Sequence, residues 1–137
     1  MPLTMLMYAS ISRLPPEGAM LAVEAILKRA RARNARRGLT GALLFTGQHF
    51  VQVLEGPAAA IDGLWGKLQT DPRHEGLVPA IHGPLQKRRF DNWAMSYSGP
   101  SQFVSKRVQL MFNVDDPVAQ SRAADWVLDL MYQFSKP

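Results

Sequence analysis

Tyr8 in TMLMYAS and Gln52 in HFVQVLEG carry the most chemistry in this 137-residue chain. A phenol can give up an electron and a proton, and a primary amide has a donor end and an acceptor end that exchange places when the group turns. Alternation along a strand puts Phe50, Gln52 and Leu54 on one face and Val51, Val53 and Glu55 on the other. The amide of Gln52 therefore lies between two large apolar side chains, where leaving it unbonded costs about 2–7 kcal/mol on transfer scales. A second amide, Asn34, stands at the end of a helix-like run, and DPRH (Asp71 to His74) follows another, close after Lys67. Trp93 and Met95 sit two apart on a short strand-like segment, hence on one face. Each has a plainer reading on its own: a tyrosine–glutamine pair in a core, a helix cap at Asn34, an ordinary helix exit at DPRH, and core packing by Trp93 and Met95. Taken together, the amides, the phenol and the mixed group Lys67, Asp71, Arg73 and His74 suit a flat heteroaromatic with amide-like edges and a phosphate tail.

Composition narrows the chemistry. There is no cysteine, so disulfides, thiol nucleophiles and thiolate metal sites are excluded, and redox work needs a bound cofactor or an aromatic side chain. With 47% hydrophobic and 20% charged residues the chain suits one globular core. No apolar run approaches the roughly 20 residues of a membrane helix, and MPLTMLMYAS lacks a positive start and cleavage site, so a cytoplasmic, membrane-free protein is expected. Much of the formal charge of +5 falls in KRARARNARR (Lys28 to Arg37). At about 100° per residue this charge nearly encircles a helix end, where it complements the helix dipole. Without a base-stacking aromatic series, nucleic acid is the minor reading. Asp71 and His74 lack a third clear partner, so a metal or hydrolytic site is weakly supported.

The elements that must position these groups follow from periodicity. Thr4 to Ser10 reads as a strand with Leu6 and Tyr8 on one face and Met5, Met7 and Ala9 on the other. Two prolines mark the start of a helix through EGAMLAVEAILKRARARN, whose stripe is Met20, Val23, Ile26, Leu27 and Ala30, with Gly38 as its stop. LTGALLFT and HFVQVLEG form a hairpin about Gly47 and Gln48. AAAIDGLWGKLQTD is a second helix with Ile61, Leu64, Trp65 and Leu68 inward. Gly76 to Leu85 is a strand whose proline argues for an edge or a bulge. WAMSYSG is a fifth strand, SQFVSKRVQLMF a short helix, and the segment after DDP a longer one carrying Val118, Trp126, Val127, Leu130, Met131 and Phe134. This order predicts an α+β fold: a ferredoxin-like βαββαβ sandwich with an added fifth strand and a C-terminal helical extension. Its first and third strands are central neighbours, so Tyr8 and Gln52 can meet on the helix-covered face.

YAS, NARRGLTGALLF, FVQVLEGP, DPRH and RRFDNWAMSY occur in an order and spacing that resemble the BLUF family of blue-light sensors using FAD. The resemblance covers roughly residues 3 to 98 and rests on the whole ordered set. It implies that FAD is held non-covalently, that Tyr8 and Gln52 are the photoactive pair, and that Asn34 binds the flavin. Trp93 and Met95 match the family's switching strand, and contacts farther along the cofactor fall on Ile26, Lys67, Asp71 and His74. Arg33 departs from the asparagine or histidine that many members carry beside the conserved asparagine, and it is counted among the cofactor-binding residues.

An isoalloxazine offers acceptors at N5 and C4=O and a donor at N3–H, which suits Asn34 and lets Gln52 address N5, C4=O and Tyr8 together. The expected mechanism is light-driven electron and proton transfer from Tyr8, after which Gln52 is left with an altered hydrogen bond to C4=O. A non-enzymatic photoreceptor is therefore expected, with residues 1–98 as the flavin-binding domain and 99–137 as a helical extension packing on the sheet. The fifth strand and tail pass the signal to a separate partner protein, and self-association through the tail is expected. Two other functions are compatible with the same residues: a flavin-dependent redox enzyme, and a ferredoxin-like nucleic-acid-binding module without flavin.

Overall fold

The computed structural model describes residues 2–98 and 101–135, with the side chains of 94–98 outside the description. The elements are β1 (Leu3–Ser12), α1 (Ala19–Arg36), β2 (Thr40–Phe45), β3 (His49–Pro57), α2 (Ala58–Leu68), β4 (His74–Leu85), β5 (Trp93–Ser98), α3 (Gln102–Leu110) and α4 (Pro117–Ser135). They form one five-stranded sheet in the order β4-β1-β3-β2-β5. The added β5 runs parallel to β2, and the other neighbours are antiparallel. The α+β, ferredoxin-like expectation is met, including the central pairing of β1 with β3, in which Tyr8 stands opposite Gln52.

Alternation along the strands makes two cores, one on each side of this sheet. Leu6, Leu43, Phe45, Phe50 and Leu54 face α1 and α2, where Val23, Ala30, Ile61 and Leu64 close over them. Met5, Met7, Ala9, Ala42, Leu44, Val51 and Val53 face the other way, against Val104, Val108 and Met111 near α3 and Ala123, Ala124, Val127, Leu128 and Met131 of α4. The C-terminal helices thus cover a sheet face that would otherwise expose a large apolar patch.

Several expectations need correction. In α1 the stripe is Ala19, Val23, Ala30 and Asn34, while Met20 is exposed. Gly18 sits at φ 77, outside helical geometry, so the helix begins later than the prolines suggest. Asn34 does not end the helix either. It lies inside the last turn, and the stop is Gly38 at φ 70, which lets Leu39 N donate back to the Asn34 carbonyl at 2.9 Å. In α4 Val118 and Phe134 are exposed, because the buried positions follow the small residues Ala123 and Ala124, which let the helix approach the sheet closely. DPRH is not simply a helix exit: α2 stops at Leu68 and His74 opens β4. Pro79 does lie on an edge strand, and the β1–β4 register slips beside it, between Met7 and Tyr8.

Candidate functional site

Beneath α1 and α2 the sheet does not close. A cleft open to solvent is lined by Tyr8, Ile26, Ala30, Arg33, Leu43, Phe50, Gln52, Leu68, Asp71, Arg73, His74 and Trp93. Its floor is the central strand pair. There the Tyr8 hydroxyl donates to Gln52 Oε1 at 2.7 Å, with both residues almost wholly buried. This bond is the partner the buried glutamine requires, and it fixes which end of the amide faces the phenol. Burial pushes the Tyr8 phenol far above its ordinary range, with Asp71 adding to the effect and Arg33 and Arg73 opposing it. Tyr8 is thus a proton donor throughout the ordinary pH range. Trp65 meets its ring edge-on at 5.3 Å.

Four of the five unpartnered buried side-chain polar atoms among the described residues belong to Arg33, Asn34 and Trp93. Asn34, fully buried one turn beyond Ala30 on the same helical face, has no partner for Oδ1 or Nδ2. Trp93 Nε1 and Arg33 Nε are likewise unpartnered. Native interiors rarely leave such atoms unsatisfied, and each costs about 1–3 kcal/mol. A flat ligand presenting both donors and acceptors would satisfy them.

At the mouth of the cleft Arg73 grips Asp71 through a fork, with Nε 2.9 Å from Oδ1 and Nη2 2.5 Å from Oδ2. The Arg73 hydrogen bonds hold the Asp71 carboxyl below the usual carboxylate range, against the opposing effect of burial. Arg33 is lowered from the usual guanidinium range, first by burial and then by Arg37 and Arg73. His74 lines the wall but commits its ring to the protein: Nε2 donates to the Leu68 carbonyl at 2.7 Å, and Nδ1 pairs with Ser10 Oγ at 2.8 Å. No group of three or more metal-ligating residues occurs among the described residues.

The structure therefore brings Tyr8, Ile26, Arg33, Gln52, Asp71, His74 and Trp93 to one cleft, with Asn34 beside it. Lys67 is not there. It is exposed, in a separate surface groove with Arg37, Ala59, Ala60 and Gly63. Met95 stands beside Leu43 in register, and its side chain lies outside the described residues. Sequence reasoning gave no site role to Leu43, Phe50, Trp65 or Ser10. Strand alternation carries a signal for three of them, since Leu43, Phe50 and Ser10 occupy the same sheet face as Tyr8 and Gln52.

The profile of the family "BLUF: Sensors of blue-light using FAD" matches residues 3–96. The chain belongs to the BLUF family. Beta subunits of photoactivated adenylate cyclases are among its relatives; that of Euglena longa is 38% identical over 95 residues, which are 69% of this chain and 11% of that protein. The blue light- and temperature-regulated antirepressor BluF of Escherichia coli K12 is 34% identical over 68% of this chain and 23% of its own length. This chain thus spans only a small part of these curated relatives. The dark-state structure of the BLUF protein BlrB superposes with a TM-score of 0.67 at 31% identity, covering 90% of this chain and 97% of that one. Residues 3–96 are thus a BLUF domain, a flavin-binding blue-light sensory module, and the buried Tyr8–Gln52 hydrogen bond is consistent with the family's tyrosine–glutamine–flavin network.

Proposed function

We propose that this BLUF protein holds FAD in the cleft between the sheet and α1/α2, and passes a light-dependent rearrangement of Gln52 to a separate protein through β5 and the C-terminal helices. A bound flavin supplies absorption of blue light and, once excited, a strong oxidant. The remaining chemistry belongs to the chain. Asn34 and Gln52 orient the ring through their amides, and Ile26 packs against it. Arg33 and the Asp71–Arg73 pair stand toward the mouth, where an anionic tail would leave the cleft.

Tyr8, on losing an electron, becomes strongly acidic, and its proton moves along the 2.7 Å hydrogen bond to Gln52 Oε1. When electron and proton return, Tyr8 is restored and the Gln52 amide is left turned or tautomerised, its donor where its acceptor had been. No atoms are gained or lost, so the lit state differs only in hydrogen bonds and reverts in the dark. Trp93 and Met95, on the strand beside Leu43, follow the new arrangement. The tail displays Phe103, exposed, edge-on to Trp126 at 5.4 Å, with Arg107 stacked over both rings. Aromatic and arginine side chains of this kind anchor protein interfaces, which supports α3 and α4 as the face for a partner or a second copy. Among the described residues no helix is long and apolar enough to cross a membrane, and a cytoplasmic location is part of the proposal.

The observation that carries this reading is the buried Tyr8–Gln52 hydrogen bond facing a cleft beside unpartnered polar groups. Tyr8→Phe tests it: flavin should remain bound and the red-shifted state should not form. A normal photocycle in that variant would overturn the assignment.

A further inference from the structure

Glu55 is fully buried and lies three residues beyond Gln52 on β3, on the opposite face of the sheet. The photochemistry has no use for it, yet a buried carboxylate is costly unless it is fully bonded. Its bonds lead to the start of β2 and to the segment before β5. Oε1 accepts from Thr40 Oγ1 at 3.0 Å and from the backbone N of Phe90 at 3.1 Å, and Oε2 accepts from the backbone N of Arg89 at 2.9 Å. Arg88 donates to the Glu55 carbonyl at 3.0 Å and to Thr40 Oγ1 at 2.8 Å, so Thr40 relays the carboxylate to a guanidinium. The segment that enters β5 is thus clamped to the photoactive strand.

The outer side of the same segment is clamped to α4. Arg89 pairs with Asp129 at 3.2 Å and lies over the Tyr132 ring at 4.8 Å, and Phe90 meets Tyr132 edge-on at 5.8 Å. Residues 88–90 therefore touch β3 through the Arg88 guanidinium and the backbone amides of Arg89 and Phe90, and α4 through the side chains of Arg89 and Phe90. We propose that Glu55 is a positioning residue for signal output: it couples β3 to α4 through residues 88–90, by a route that does not pass through the length of β5. This rests on the photoreceptor reading above.

The test uses the full chain with FAD bound, as wild type, Glu55→Gln and Arg89→Ala. Glu55→Gln places an amide N–H2 against donors, so exchange of the Arg89 and Phe90 amides in the dark should quicken by about tenfold. Neither side chain lines the cleft, so both variants should form the red-shifted state as wild type does. Both should lose the light-induced change in hydrogen exchange across Pro117–Ser135. Arg89→Ala, which removes a half-exposed side chain and keeps the Glu55 bonds, supplies the same reading if Glu55→Gln folds poorly. Variants that keep the full light response in α4 overturn the proposal, as does a wild type that shifts red with no change in α4. A wild type with no red-shifted state overturns the photoreceptor reading instead, and dark exchange of the two amides then decides whether Glu55 is the clamp.

Discussion

Each polar group in the cleft has a role that its bonding pattern decides. Tyr8 donates to Gln52, whereas the Asn34 side chain has no partner in the described protein, so it reports most directly that a ligand belongs here. Asn34→Leu, of similar size, should stabilise the flavin-free protein by about 1–3 kcal/mol, because it removes two orphaned polar atoms. The same change should weaken flavin binding by about 10–100-fold through two lost hydrogen bonds. Thermal unfolding of the free protein and flavin titration check the two signs. A second expectation concerns pH. The Tyr8 phenol is raised in the folded state, so its contribution to stability is complete below the ordinary phenol value of 10.0 and is lost as pH rises beyond it. Asp71 is lowered, so its contribution is present above its ordinary value of 3.8 and lost as pH falls further. Denaturant midpoints measured across pH should therefore decline at both ends, and Tyr8→Phe should remove part of the alkaline decline.

At the scale of elements, strand alternation made both faces of β1 and β3 legible, because period-two burial leaves its pattern in the residue types. The Tyr8–Gln52 meeting followed from topology and from the even positions of both residues. Helix faces were harder to read. Met20, Val118 and Phe134 fit an apolar stripe by type yet lie exposed, since the sheet accepts small residues such as Ala123 and Ala124 where the helix comes close. His74 was legible as a site residue but not as the first residue of β4, because its anchors, Ser10 and the Leu68 carbonyl, are distant in sequence or belong to the backbone. Lys67 matched a family position, yet it lines a separate surface groove and not the cleft. Gly41 left no signal beyond its type, and the structure supplies the reason for it: at φ 145 its missing Cβ would stand 1.9 Å from the Val53 carbonyl oxygen. Gly41→Ala should destabilise the protein by about 3 kcal/mol, from strain and overpacking on the strand that adjoins both β3 and β5. Equilibrium unfolding in denaturant measures this, and a cost under about 0.5 kcal/mol would show that β2 yields there.

Across the whole molecule, one sheet separates photochemistry from output. Tyr8, Gln52 and Trp93 belong to the face under α1 and α2, while the opposite face is held by α3 and α4. A change at Gln52 must therefore cross the sheet or pass around its edge to reach the tail, and β3, with Gln52 on one face and Glu55 on the other, spans that boundary. Blue-light sensing by this chain proceeds through hydrogen bonds and without net redox change. It is tested most directly by absorption spectra of the purified protein in the dark, after blue light, and during recovery in the dark. A flavin spectrum that shifts red without bleaching and then reverts is the predicted result; flavin that bleaches on illumination, or that never shifts, would contradict it.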